Sequence, residues 1–219
     1  MDLDLNEALR YLGAGNDAPE VLRQQVENIA AQLTAALTPR FTYRVFPLTK
    51  NEDSFHLSGS TITLTGRTAQ TMLAQCHQAA LLCCTLGGEF EALLRRTQVR
   101  DMAQAAILDA CGSAYVERGC DIAQEELARR FPSLYLTDRF SPGYGDLPLS
   151  LQPSICSALD TPRRLGVQAT EHFLLNPGKS VTAIIGLSDR PQMARVRGCA
   201  YCSMRETCAL RKGGHHCGI

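Results

Sequence analysis

Between Asp101 and Phe131 the chain runs DMAQAAILDACGSAYVERGCDIAQEELARRF without a single proline. Such a run predicts one long helix, and everything else has to be arranged around it. Ala103, Ala106, Ala110 and Ala114 fall on roughly one side of that helix, which lets another element approach closely. The helical pattern extends upstream to Gly66, through TAQTMLAQCHQAALLCCTLGG, which ends at a glycine pair, and EFEALLRRTQVR. Before it, NEALRYLG predicts a short helix stopped by Gly13. APEVLRQQVENIAAQLTAAL predicts a second, with Leu22, Val26, Ile29, Leu33 and Leu37 at helical spacing and Pro19 just inside its start.

Strand signals flank the helices. TPRFTYRVFPL has a β-branched and aromatic bias, and SFHLSGSTITLTG predicts a hairpin or strand pair. After Pro132, SLYLTDRF is strand-like and LQPSICSALDTPRRLG predicts a short helix with its stop. VQATEHFLLNPGKSVTAIIGLSD predicts a β-hairpin turned at Asn176-Pro177-Gly178. Strands at both ends with helices between give an α+β class, one antiparallel sheet packed on a helical layer. The expected division is a helical segment over 1–40, an α+β core over 41–195 and a cysteine-rich, metal-binding tail over 196–219.

Lys+Arg and Asp+Glu balance at 22 each, which argues against nucleic-acid binding by bulk electrostatics. No stretch of 18 apolar residues is present to span a membrane, and the acidic start MDLDLNEALR lacks the order of a signal peptide. The expected location is therefore the cytoplasm, where thiols stay reduced. Six of the ten cysteines are scattered (Cys76, Cys83, Cys84, Cys111, Cys120, Cys156). The first five fall inside the predicted helices, as small buried hydrophobes.

The remaining four crowd the tail GCAYCSMRETCALRKGGHHCGI: Cys199, Cys202, Cys208 and Cys217. A C-x2-C pair directs two thiolates at one centre, and two more complete a tetrahedral site. Zinc or a [4Fe–4S] cluster satisfies this pattern, His215 or His216 could replace Cys217, and spacing does not choose the metal. The alternative is a tail of reduced thiols.

Residues 138–148, DRFSPGYGDLP, place a fixed charge and an aromatic around an abrupt turn. Pro142 presets φ and Gly143 tolerates unusual backbone, so the turn can present N–H and C=O groups to a flat heteroaromatic edge. Arg139 offers a planar fork suited to a carboxylate, and Tyr144 an amphipathic ring. The alternative is a β-turn with a solvated arginine and a packing tyrosine.

Arg-x-x-Pro-Gly-Tyr at Arg139, Pro142, Gly143 and Tyr144 resembles the S-adenosylmethionine-binding motif of the reactivation domain of cobalamin-dependent methionine synthase. The resemblance continues through RFSPGYGDLPLSLQPSICSALDTPRRLGVQATEHFLLNPGKSVTAIIGLSD, and TLGGEFEALL, DACGSAYVERGCD and EALRYLG are also similar. It covers about residues 5 to 190, most specifically 139 to 190. It implies a C-shaped activation-domain-like α+β fold, a twisted antiparallel sheet flanked by helices. It also implies a reactivation subunit that binds S-adenosylmethionine, docks on a cobalamin-loaded synthase and supports reductive methylation of Co(II) to methyl-Co(III). On this resemblance Arg139 binds the methionyl carboxylate, the backbone of Ser141, Pro142 and Gly143 binds adenine, Tyr144 lines the pocket, and Glu117 is the acid on the long helix that contacts ligand. No residue is given a catalytic role.

Where the large synthases carry a ligand-contacting tyrosine, this chain has Ile184-Ile185-Gly186, and the acid preceding their first sheet strand has no match. The chain also lacks Asp-x-His-x-x-Gly, the loop that supplies cobalt's lower ligand. The cobalamin is thus expected on a partner, a methionine synthase without its own activation domain, with a flavodoxin- or ferredoxin-like electron donor. Two other functions are open: an iron–sulfur module delivering the reducing electron to a corrinoid protein, and a zinc-stapled adaptor without redox chemistry.

Overall fold

The computed structural model describes residues 2–14, 17–192 and 206–207. Two helices lead, α1 (Leu5–Tyr11) and α2 (Glu20–Ala36), followed by β1 (Arg40–Lys50), β2 (Ser54–Leu57) and β3 (Thr63–Thr65). Next come α3 (Arg67–Leu73), β4 (Gln78–Thr85), α4 (Gly87–Arg100) and α5 (Met102–Arg130). A short strand β5 (Tyr135–Leu136), a 3-10 turn (Leu149–Leu151), α6 (Gln152–Leu159) and α7 (Thr161–Leu165) precede β6 (Gln168–Ala169), β7 (Leu175–Asn176) and β8 (Ser180–Ser188). The main sheet is antiparallel with strand order β3-β2-β1-β4-β8-β5. Among the described residues no helix is long and apolar enough to cross a membrane.

Helices cover both faces of this sheet. Ala80, Leu82 and Cys84 of β4, with Ala183, Ile185 and Leu187 of β8, point into a core built with α1, α2 and α5. The alternate residues Ala79, Leu81, Cys83 and Ile184 point the other way, into a second core with α3, α6 and the loop residues Phe140 and Leu147. This is the period-two alternation of a strand, with both sides apolar.

That double burial accounts for one correction. The stretch expected as helix up to the glycine pair is α3 followed by strand β4, so Cys83 and Cys84 lie on a strand and Cys76 just beyond α3. A strand buried on both faces shows no polar alternation, and Ala, Leu and Cys carry no β-branched signal. Pairing with β1 along Arg40–Pro47 and with β8 along Ser180–Leu187 decides the conformation instead. A second correction concerns residues 167–189. The hairpin is β6 with β7, Gln168 opposite Asn176, while β8 inserts between β4 and β5. Asn176-Pro177-Gly178 therefore links the small hairpin to the main sheet.

The long helix is as expected. Asp101 caps α5, its carboxylate accepting from the Ala103 and Gln104 N–H groups at 2.9 and 3.0 Å. Half of the predicted alanine stripe is buried, at Ala110 and Ala114, while Ala103 and Ala106 are exposed, and α5 makes further close approaches at glycines. They occur at Gly112, where an added Cβ would lie 2.3 Å from Phe90 Cζ, and at Gly119, against Pro39 and Cys84.

Candidate functional site

The segment after β5 places its side chains by strand logic. Phe140 exchanges both backbone hydrogen bonds with Ile184 of β8, at 3.1 and 2.8 Å, and is buried in the core on the α6 side. Its neighbour Arg139 consequently faces the other way, onto α5. There its guanidinium is 8% exposed. One terminal nitrogen donates to Asp121 Oδ1 at 2.6 Å and Gln124 Oε1 at 3.3 Å; the other donates to Glu117 Oε2 at 2.8 Å and the Glu117 carbonyl at 3.5 Å. Residues 117, 121 and 124 lie one turn apart on one face of α5, so a single fork reaches all three.

Burial works against the charge on Arg139, but the surrounding groups outweigh it and the guanidinium pKa is raised. Glu117 and Asp121 supply that effect. Cys120, which adjoins them, is a neutral thiol: its hydrogen bond with Cys84, and burial, push its pKa up. Burial likewise pushes Cys76 and Cys111 to about 11. Burial raises Cys83 as well, so Cys76, Cys83, Cys111 and Cys120 are protonated packing groups rather than nucleophiles.

Beside Arg139 opens a cleft of about 600 Å³. Asp121, Gln124, Ala128, Leu134, Leu136 and Arg139 are among its walls, a mixture of apolar and charged groups. A second cation meets α5 two turns upstream, where Lys179 Nζ donates to Asp109 Oδ2 at 2.9 Å and Ser113 Oγ at 2.8 Å.

Residues 141–144 form a type II turn, with Pro142 at its second position and Gly143 at φ +90° at its third. Tyr144 N–H donates to the Ser141 carbonyl at 3.0 Å, and Gly143 N–H to the Leu147 carbonyl at 2.8 Å. These two groups of the expected adenine-binding backbone are engaged within the loop. Tyr144 packs against the core on the α6 side. Of the predicted site residues, the structure thus brings Arg139 and Glu117 together and turns Tyr144 toward the opposite core.

The loop then anchors α3. Asp146 carboxylate oxygens accept from Arg67 N–H at 2.5 Å and Thr68 N–H at 2.9 Å, capping that helix from 79 residues away. Hydrogen bonds from the Thr68 side chain and backbone hold the Asp146 carboxyl down at about 2.

Ile184 and Ile185 are buried in β8, and a Cβ on Gly186 would meet Cys76 Sγ at 2.5 Å. None of Ile184, Ile185 and Gly186 is among the residues that line the cleft. Cys199, Cys202, Cys208 and Cys217 lie outside the described residues. Among the described residues no cluster of three His, Cys, Asp or Glu is placed to hold a metal ion. Asp121 and Gln124 were missed from sequence, although their spacing from Glu117 was a usable signal.

No protein-family model and no curated protein matches the sequence. A solved structure does: the crystal structure of the MetH reactivation domain bound to AdoHcy, with TM-score 0.70 and 15% identity, over 97% of this chain and 82% of that one. At that identity the likeness speaks for the fold, and the mixed α+β architecture with a twisted antiparallel sheet flanked by helices is that of the MetH reactivation domain.

Proposed function

We propose that the chain is an S-adenosylmethionine-binding reactivation module that docks on a cobalamin-loaded methionine synthase. One observation carries this reading: Arg139 of the Arg-x-x-Pro-Gly-Tyr stretch sits on the wall of a cleft, in the fold with which the MetH reactivation domain binds AdoHcy. Arg139 suits the methionyl carboxylate, because a planar fork pairs with a carboxylate through two parallel hydrogen bonds. Glu117 and Asp121, already paired with it, are the carboxylates at hand for the ammonium group. Ser141, Pro142 and Gly143 form the tight turn assigned to the adenine edge, and Tyr144 anchors that turn in the core beneath it.

The chain's contribution is positioning. It holds the sulfonium methyl group in line with a cobalt on the partner, which takes up one electron from a flavodoxin- or ferredoxin-like donor before the methyl transfers. Calorimetry with S-adenosylmethionine and S-adenosylhomocysteine tests the reading. Arg139→Ala should weaken both by at least about tenfold, the loss of one charge-assisted pair. Absence of binding by the unaltered protein, alone and with a cobalamin-loaded synthase, overturns it.

The spacing of Cys199, Cys202, Cys208 and Cys217 favours a second property, a metal site in the tail. A [4Fe–4S] cluster there would make the chain its own electron carrier, and zinc would make the tail a staple. Iron, sulfide and zinc analysis of anaerobically purified protein, with EPR, separates these outcomes from a metal-free tail.

A further inference from the structure

Arg139 already holds carboxylates of its own chain. Four hydrogen bonds from its two terminal nitrogens go to α5, the shortest of them to Asp121 at 2.6 Å. Asp121 is also the one of the two carboxylates that lines the 600 Å³ cleft together with Arg139. Its side chain is 43% exposed, so it can swing toward the cleft without leaving water, whereas Arg139 is fixed by burial at 8%.

From this geometry we infer that Asp121 is the specificity-determining residue of the site, selecting zwitterionic α-amino-acid groups over simple carboxylates. The inference rests on the proposed function and deepens it. A ligand carboxylate that enters the cleft and pairs with the Arg139 terminal nitrogen held by Asp121 competes with Asp121 for it. For a ligand with a carboxylate alone, that displacement removes one ion pair for each one gained. A ligand that also carries an α-ammonium group, two bonds from its own carboxylate carbon, gives the displaced Asp121 carboxylate a new partner beside the old one. The number of charge-assisted pairs then rises on binding instead of standing still. Asp121 thus penalises anions and accepts zwitterions, which is discrimination by an internal competitor.

The test compares two ligands on two proteins. S-Adenosylhomocysteine carries both charges; its desamino analogue keeps the carboxylate and lacks the amine. The unaltered protein should prefer S-adenosylhomocysteine by at least about tenfold. In Asp121→Asn that ratio should fall toward one, chiefly because the desamino analogue binds more tightly, and Asp121→Glu should restore part of it. Both affinities are measured on one sample, so a reduced folded fraction cancels from the ratio. An unchanged ratio in Asp121→Asn overturns the inference and leaves the proposed function standing. If the unaltered protein binds neither ligand, both fall.

Discussion

At the scale of single residues, the stretch from Asp138 to Pro148 does two kinds of work. Arg139 faces α5 and the cleft, while Phe140, Leu147 and Tyr144 are committed to the core beneath the other face of the sheet. Asp146 has a role that sequence spacing could not reveal, because the helix it caps begins 79 residues earlier. Since its folded pKa is about 2 and its ordinary value 3.8, the cap's contribution is fully present above about pH 4 and is lost as pH falls toward 2. Asp146→Asn should therefore lower stability at pH 6, by roughly 0.5 kcal/mol given the exposed position, and make little difference at pH 2. Urea titrations of both proteins at the two pH values check this. A deficit that persisted unchanged at pH 2 would show that the carboxylate charge is not the source. Arg139 and Glu117 were each named from the resemblance as ligand contacts, and their pairing with one another became visible only in the structure.

Elements were legible where one face is apolar and the other wet. The helices α1, α2, α4 and α5, strand β1 and the β2–β3 hairpin all follow their sequence periods. β4 did not, because it is enclosed by helices on both sides and its residues favour no particular backbone. The same enclosure shaped α5. Its glycines carry the close contacts: at Gly119 an added Cβ would lie 2.6 Å from Pro39 Cβ and 2.6 Å from Cys84 Sγ. Gly119→Ala gains about 1 kcal/mol of helix propensity. The rigid Pro39 ring and the buried Cys84 cannot yield without displacing the start of β1 and the end of β4, and overpacking of that kind typically costs about 1–3 kcal/mol. The substitution should consequently be neutral or destabilising by up to about 2 kcal/mol, the difference of those two figures. Thermal denaturation measures it, and a raised midpoint would mean that the helix and strand separate more readily than their packing suggests.

At the scale of the molecule, the question is whether α1 and α2 are an appendage or part of the core. Leu9 of α1 and Val26, Ala30 and Leu33 of α2 belong to the same buried cluster as Leu82 of β4, Ile185 of β8 and Tyr115 of α5. Tyr115 is buried and donates its hydroxyl hydrogen to the Leu37 carbonyl at 3.0 Å, tying the end of α2 to the middle of the long helix. A chain beginning at Thr38 would uncover the α5 face that carries Ile107, Leu108, Cys111 and Tyr115. It would also leave the Tyr115 hydroxyl without that acceptor. Each large side chain newly exposed to water costs roughly 1.5–3 kcal/mol, and a domain's whole stability is about 5–15 kcal/mol. Ile107, Leu108 and Tyr115 alone would take up much of that margin, before the smaller Cys111 is counted. The shortened chain should lose its tyrosine near-UV circular dichroism and its cooperative urea transition, whereas the full chain should unfold in one step. A shortened chain that kept a cooperative transition at the same midpoint would make the first two helices a separate unit. The cleft, the sheet and Arg139 would then stand without them, and the long helix would need some other cover for its apolar face.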